Sequence, residues 1–156
     1  MKKILSLLTL FSLISNLCFA ENKNELVTTE SKVEEEARYI LENMHQDYIT
    51  CYSFYKIGSE YIKKTNGDPA IIKGVEDSYD TSLKLVHETG EMISMTNHEM
   101  SSKIKSEIKN QLNLIDNNFN NSSILLKKYA RVCKNLIEDK AQRIFFWEKQ
   151  ALEKFK

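Results

Sequence analysis

The sequence predicts an all-α fold: an antiparallel bundle of four helices, or three in the alternative count, stapled by one disulfide. Three observations carry this. One proline and four glycines in 156 residues leave little turn chemistry for a sheet, while Lys, Glu, Leu and Ile abound and favour helices. Apolar residues recur at steps of three and four through most of the chain, the period of a helix face. Cys51 and Cys133 fall mid-stripe in the first and last of these segments, so both point toward a shared core.

The chain opens with an address. Lys2 and Lys3 form a basic end, Ile4 to Leu17 is almost wholly apolar, and Cys18-Phe19-Ala20 offers small residues at the cleavage positions. Residues 1–20 therefore read as a bacterial-type signal peptide, cut before Glu21, which sends the protein to the periplasm or beyond the cell. The apolar run is too short for a spanning helix, and no later stretch approaches that length. In an exported chain the two remaining cysteines read as one disulfide. The bridge would close a loop of about 80 residues and contribute at most roughly 4.5 kcal/mol on a chain-entropy estimate. Basic and acidic residues balance at 22 each, and losing Lys2 and Lys3 tips the exported chain slightly acidic. That leaves no basic field for nucleic acid.

Residues 21–30 are polar and aperiodic, a flexible leader ahead of a helical domain spanning 31–156. Ser31-Lys32-Val33-Glu34 has the form of a capping box. Beyond it Val33, Ala37, Ile40, Met44, Tyr48, Cys51, Tyr55 and Ile62 trace one face of a first long helix, which Thr65-Asn66-Gly67 ends. Asp68-Pro69 restarts the chain as N-cap and first helical residue. The second seam runs Ile72, Val75, Tyr79, Leu83, Val86, Gly90 and Ile93, with Gly90 permitting close approach of another helix. Thr96-Asn97-His98-Glu99 is a second capping box and predicts a break near Met95. A third seam, Met100, Ile104, Ile108, Leu112 and Ile115, leads to the Asn-rich turn 116–123. The last helix shows Leu126, Tyr129, Cys133, Leu136, Ile137, Ile144, Trp147, Ala151 and Phe155 on one face. Its polar run Glu138 to Arg143 can hide a kink or a short loop.

Chemistry-bearing patterns are sparse. Serine nucleophiles, phosphate-binding loops, zinc spacings and haem attachment sites are missing. Glu42-Asn43-Met44-His45 has the spacing of a di-iron ligand pair but no second copy. The sequence therefore reads as that of a non-enzyme with no resident cofactor. Copper is the alternative: an unbroken helix through His98 would align His87, Glu91, Met95 and His98 opposite the Ile93 seam, with Met92 beside them. Imidazole with thioether suits copper, and such an envelope protein could carry copper or nickel. A second apolar stripe, Phe54, Ile57 and Tyr61, runs beside the Cys51 seam, and Phe145 and Phe146 fall outside the Trp147 seam. They either pack inside the bundle or form an exposed patch for a partner. The leading functional expectation is an exported module binding a protein partner in the cell envelope. A secreted, host-directed effector with the same bundle is the other alternative.

Overall fold

The computed structural model describes residues 22–156, with side chains from Ser31 onward, so the signal-peptide reading of residues 1–20 lies outside the described residues. The described chain is helical and without strands: α1 (Asn22–Lys64), α2 (Pro69–Met92), α3 (Asn97–Leu114), α4 (Ser123–Glu138) and α5 (Lys140–Lys154), with a 3-10 turn at Phe119–Asn121. At 43 residues, α1 is about 64 Å long and serves as the spine against which the other four pack.

Two sequence expectations are corrected here, the leader and the buried leucine of α4, and the polar run foreseen to hide a loop is found to hold one. The helix α1 runs back to Asn22, so Ser31 sits inside it and the leader is helical backbone, not an irregular segment. The last helix is two helices. Asp139 leaves helical geometry (φ −145°, ψ 78°) and its carboxylate accepts from the Ala141 amide, which starts α5. The polar run held a break because Asp139 competes well as an N-cap. On α4 the buried residue is Leu125, 3% exposed, while Leu126 points outward at 55%. Leu125, Tyr129, Cys133 and Leu136 share the i, i+4, i+8, i+11 face that the disulfide fixes inward.

The predicted ends of α1 and α2 are found where the turn chemistry put them. The α1 end is closed by Gly67 N–H to Ile62 C=O (2.9 Å) and Asn66 N–H to Lys63 C=O (3.2 Å), with Asn66 at φ 53°. This double closure satisfies carbonyls that the helix itself leaves free. Ser94 (φ 60°) and Asp116 (φ 54°) close α2 and α3 the same way. Asp68 caps α2 through the Ala70 amide at 2.7 Å. Thr96 and Glu99 form the reciprocal box at the start of α3. Gly90 is a point of close approach: a Cβ there would collide with Met100 Sδ and stand 3.2 Å from His45 Cε1.

The core joins Ile49, Val86, Met100, Ile115 and Leu136, all at most 2% exposed, around the Cys51–Cys133 disulfide. The bridge spans 82 positions with its Cα atoms 5.2 Å apart, tying α1 to α4. At the far end of α1, Tyr61 stacks on Phe119 with ring centroids 5.8 Å apart. That contact pins the Asn-rich connection, and it explains the one aromatic residue in an otherwise polar turn.

Candidate binding surfaces

Two features could engage other molecules, and both grow from the second apolar stripes. The first is a groove with α1 as its floor and α2 and α4 as its walls, about 480 Å³ in volume. Phe54, Ile57 and Tyr61 of α1 line it, facing Val75 of α2 and Leu125, Leu126 and Ala130 of α4. Phe54 and Ile57 are 7% and 5% exposed and Tyr61 is half-buried. They therefore form no open patch on the protein surface, which corrects that part of the partner-surface expectation. The physical reason is the register of α4, whose disulfide draws Leu125 down over them. Polar groups are few: Tyr55, Ser78, Ser122, and at one end Lys134 with Glu138, 3.9 Å apart. Burial raises the Tyr55 hydroxyl above its ordinary pKa, partly offset by the neighbouring Ser78 hydroxyl.

The second feature is the outer face of α5. Its inner face is held tightly. Arg143 donates to both carboxylate oxygens of Asp47, Nε at 2.6 Å and Nη2 at 2.8 Å, and Trp147 Nε1 donates to the same carboxylate at 2.6 Å. Ala151 is buried, and Tyr39 meets Trp147 and Phe155 edge-on at 6.2 and 5.9 Å. With that side anchored, Phe145 stands 69% exposed and Leu152, seven residues on and on the same face, 58%. Phe146 is less free: the Arg143 guanidinium lies 4.6 Å above its ring, and Trp147 meets it edge-on at 4.9 Å. So the expectation that Phe145 and Phe146 lie outside the seam holds, and Phe145 is the projecting one.

The metal strip does not assemble. It needed an unbroken helix to His98, but α2 stops at Met92 and the chain reverses through Ser94. His87, Glu91 and Met92 stay on exposed turns of α2, Met95 packs against the core, and His98 lies in the first turn of α3. Among the described residues, no three His, Cys, Asp or Glu side chains gather as a metal site. His45 is instead fully buried, its Nδ1 3.0 Å from Thr89 Oγ1. That hydroxyl gives its hydrogen to Leu85 C=O at 2.6 Å, so His45 Nδ1 carries the proton and donates. Its Nε2 is buried without a partner. Burial lowers the His45 pKa, and the Lys103 charge lowers it further.

Sequence reasoning missed Asp47, Arg143 and the α4 wall of the groove. The Arg143-Trp147 spacing of four did announce one helix face with two donors; nothing local announced their acceptor almost a hundred positions earlier. No family model, curated protein or solved structure matches this chain, so its function has to be argued from these surfaces. No helix among the described residues is long and apolar enough to cross a membrane.

Proposed function

We propose that this protein is an exported, non-enzymatic module that binds a protein partner in the cell envelope through the outer face of α5. One observation carries the reading: Phe145 and Leu152 project from the same face, two turns apart, of a helix whose opposite face is fixed by Asp47. A rigidly mounted aromatic side chain contributes contact area at low entropic cost, which is how binding hot spots are built. Glu148 and Lys149 lie between the two on the same face and supply the polar surround that such patches carry. The export reading draws support from the disulfide, since such bonds persist in oxidising compartments.

A benzophenone amino acid placed at Phe145 tests this in cells. Ultraviolet irradiation should give a discrete cross-linked species that the same probe at exposed Lys109 on α3 does not give. The Phe145→Ser/Leu152→Ser pair should abolish partner retention while moving stability by no more than about 0.5 kcal/mol per site, as exposed substitutions do. Equal cross-linking from both positions, or none from Phe145, would overturn the proposal.

A further inference from the structure

We propose that the groove between α1, α2 and α4 binds a single-chain anionic amphiphile of the fatty-acid class. Its chain lies over Phe54, Ile57 and Leu125, and its carboxylate sits at Lys134. This is a second site, independent of the α5 face.

Size decides the kind of occupant. The groove's 480 Å³ falls within the roughly 300–1,000 Å³ of small-molecule sites. On α1 the groove extends from Phe54 to Ile62, about 12 Å at 1.5 Å per residue. A partner helix is roughly 10–12 Å across with side chains, so a groove open along one side and about 12 Å long could take only part of one face over two turns. A single flexible hydrocarbon chain can be taken up whole over the apolar lining.

Gly58 shows how the space is kept open. It lies inside α1, where glycine costs roughly 1 kcal/mol relative to alanine, and no backbone constraint asks for it, since no glycine here has positive φ. Nor does close packing: the nearest atom to a Cβ built there is Val75 Cγ1 at 4.0 Å. Its missing side chain is groove volume.

Charge decides the head group. Along α4, Lys127, Arg131 and Lys134 share one face at i, i+4 and i+7, all exposed. Lys134 is the residue of this row that lines the groove. Glu138 is the one carboxylate among the lining residues, and Lys134 already lies beside it. Lys127 and Arg131 lie outside the groove lining, but with Lys134 they leave the α4 surface beside the groove mouth net positive against the single Glu138, which favours an anionic head over a cationic one.

Calorimetric titration of the disulfide-bonded protein with sodium laurate, below its micelle concentration, tests the proposal against dodecyltrimethylammonium of equal chain length. Laurate should saturate at one site and bind at least tenfold tighter than the cation. Gly58→Leu should weaken laurate at least tenfold with the melting temperature kept or raised, and Ala130→Leu should do the same from the opposite wall. Lys134→Glu should erase the preference for the anion. Absence of saturable laurate binding, equal binding of the two amphiphiles, laurate affinity unchanged in both wall variants, or binding only to phosphatidylglycerol vesicles would each overturn it.

Discussion

Asp47 and Arg143 form a two-pronged ion pair across 96 positions of sequence, and the same carboxylate accepts the Trp147 indole N–H. Their side chains are only 16% and 27% exposed, so the pair escapes most of the solvent screening that weakens surface ion pairs. Removing one partner leaves the others desolvated and unpaired. Asp47→Ala should therefore lower stability by about 2–3 kcal/mol, read from urea unfolding. Trp147 is the only tryptophan, so its fluorescence should report looser docking of α5 before the bundle opens. A loss under about 0.5 kcal/mol, the scale of an exposed pair, would show that apolar packing alone holds α5.

The disulfide stabilises the fold by a different route, through the unfolded chain. With 82 positions between its ends, the entropy estimate is about 4.5 kcal/mol, comparable with the net stability of a small domain. Reduction, or the Cys51→Ala/Cys133→Ala pair, should lower the melting temperature markedly and expose the groove, since the bridge holds the α4 wall against α1. Non-reduced peptide mapping checks the pairing itself: two alkylatable thiols in protein from its native compartment would contradict the bridge.

How much of this was legible depended on whether the signal was local. The end at Asn66, the start at Asp68, the break before Thr96 and the close approach at Gly90 all rest on backbone chemistry within a few residues, and each could be read directly; the left-handed turn at Ser94 could not. The cysteine pairing was legible because both residues sat mid-stripe. Long-range choices were not. Leu125 and Leu126 are equally apolar, and only docking of Cys133 decides which turns inward. Whether Phe54 and Ile57 are a patch or a groove floor depends on that same choice. Asp47 gave no signal because a lone carboxylate on a helix is usually solvated, and its partners lie on an element whose start was blurred by the polar run at Asp139.

His45 makes stability depend on pH in a defined sense. Burial, then Lys103, lowers its pKa in the folded protein below the ordinary 6.5. The unfolded chain therefore takes up the proton first as pH falls, so folding stability drops from about pH 6.5 downward. His45→Leu removes the titrating ring and leaves Thr89 bonded to Leu85. Urea unfolding at pH 7.5 and 5.5 should show a loss in the parent protein that is much reduced in the variant. Equal slopes would mean that other groups carry the acid sensitivity.

Two helical glycines, packed Gly90 and open-sided Gly58, should respond differently to one added methyl group. At Gly90 a Cβ would collide with Met100 Sδ and stand 3.1 Å from its Cγ and 3.2 Å from His45 Cε1. Methionine is flexible, but Met100 is 2% exposed and has no solvent side to move into. Overpacking of that kind costs about 1–3 kcal/mol, more than the roughly 1 kcal/mol that alanine gains over glycine in a helix. Gly90→Ala should therefore be neutral to destabilising by about 2 kcal/mol. At Gly58 the nearest atom is 4.0 Å away, an ordinary contact distance, so the helix-propensity gain stands alone. Gly58→Ala should stabilise the protein by about 0.5–1 kcal/mol. Paired thermal unfolding measures both signs. A stabilising Gly90→Ala would mean that α2 and α3 are looser at Met100 than the contact distances indicate, and a destabilising Gly58→Ala would mean that the groove closes on α1.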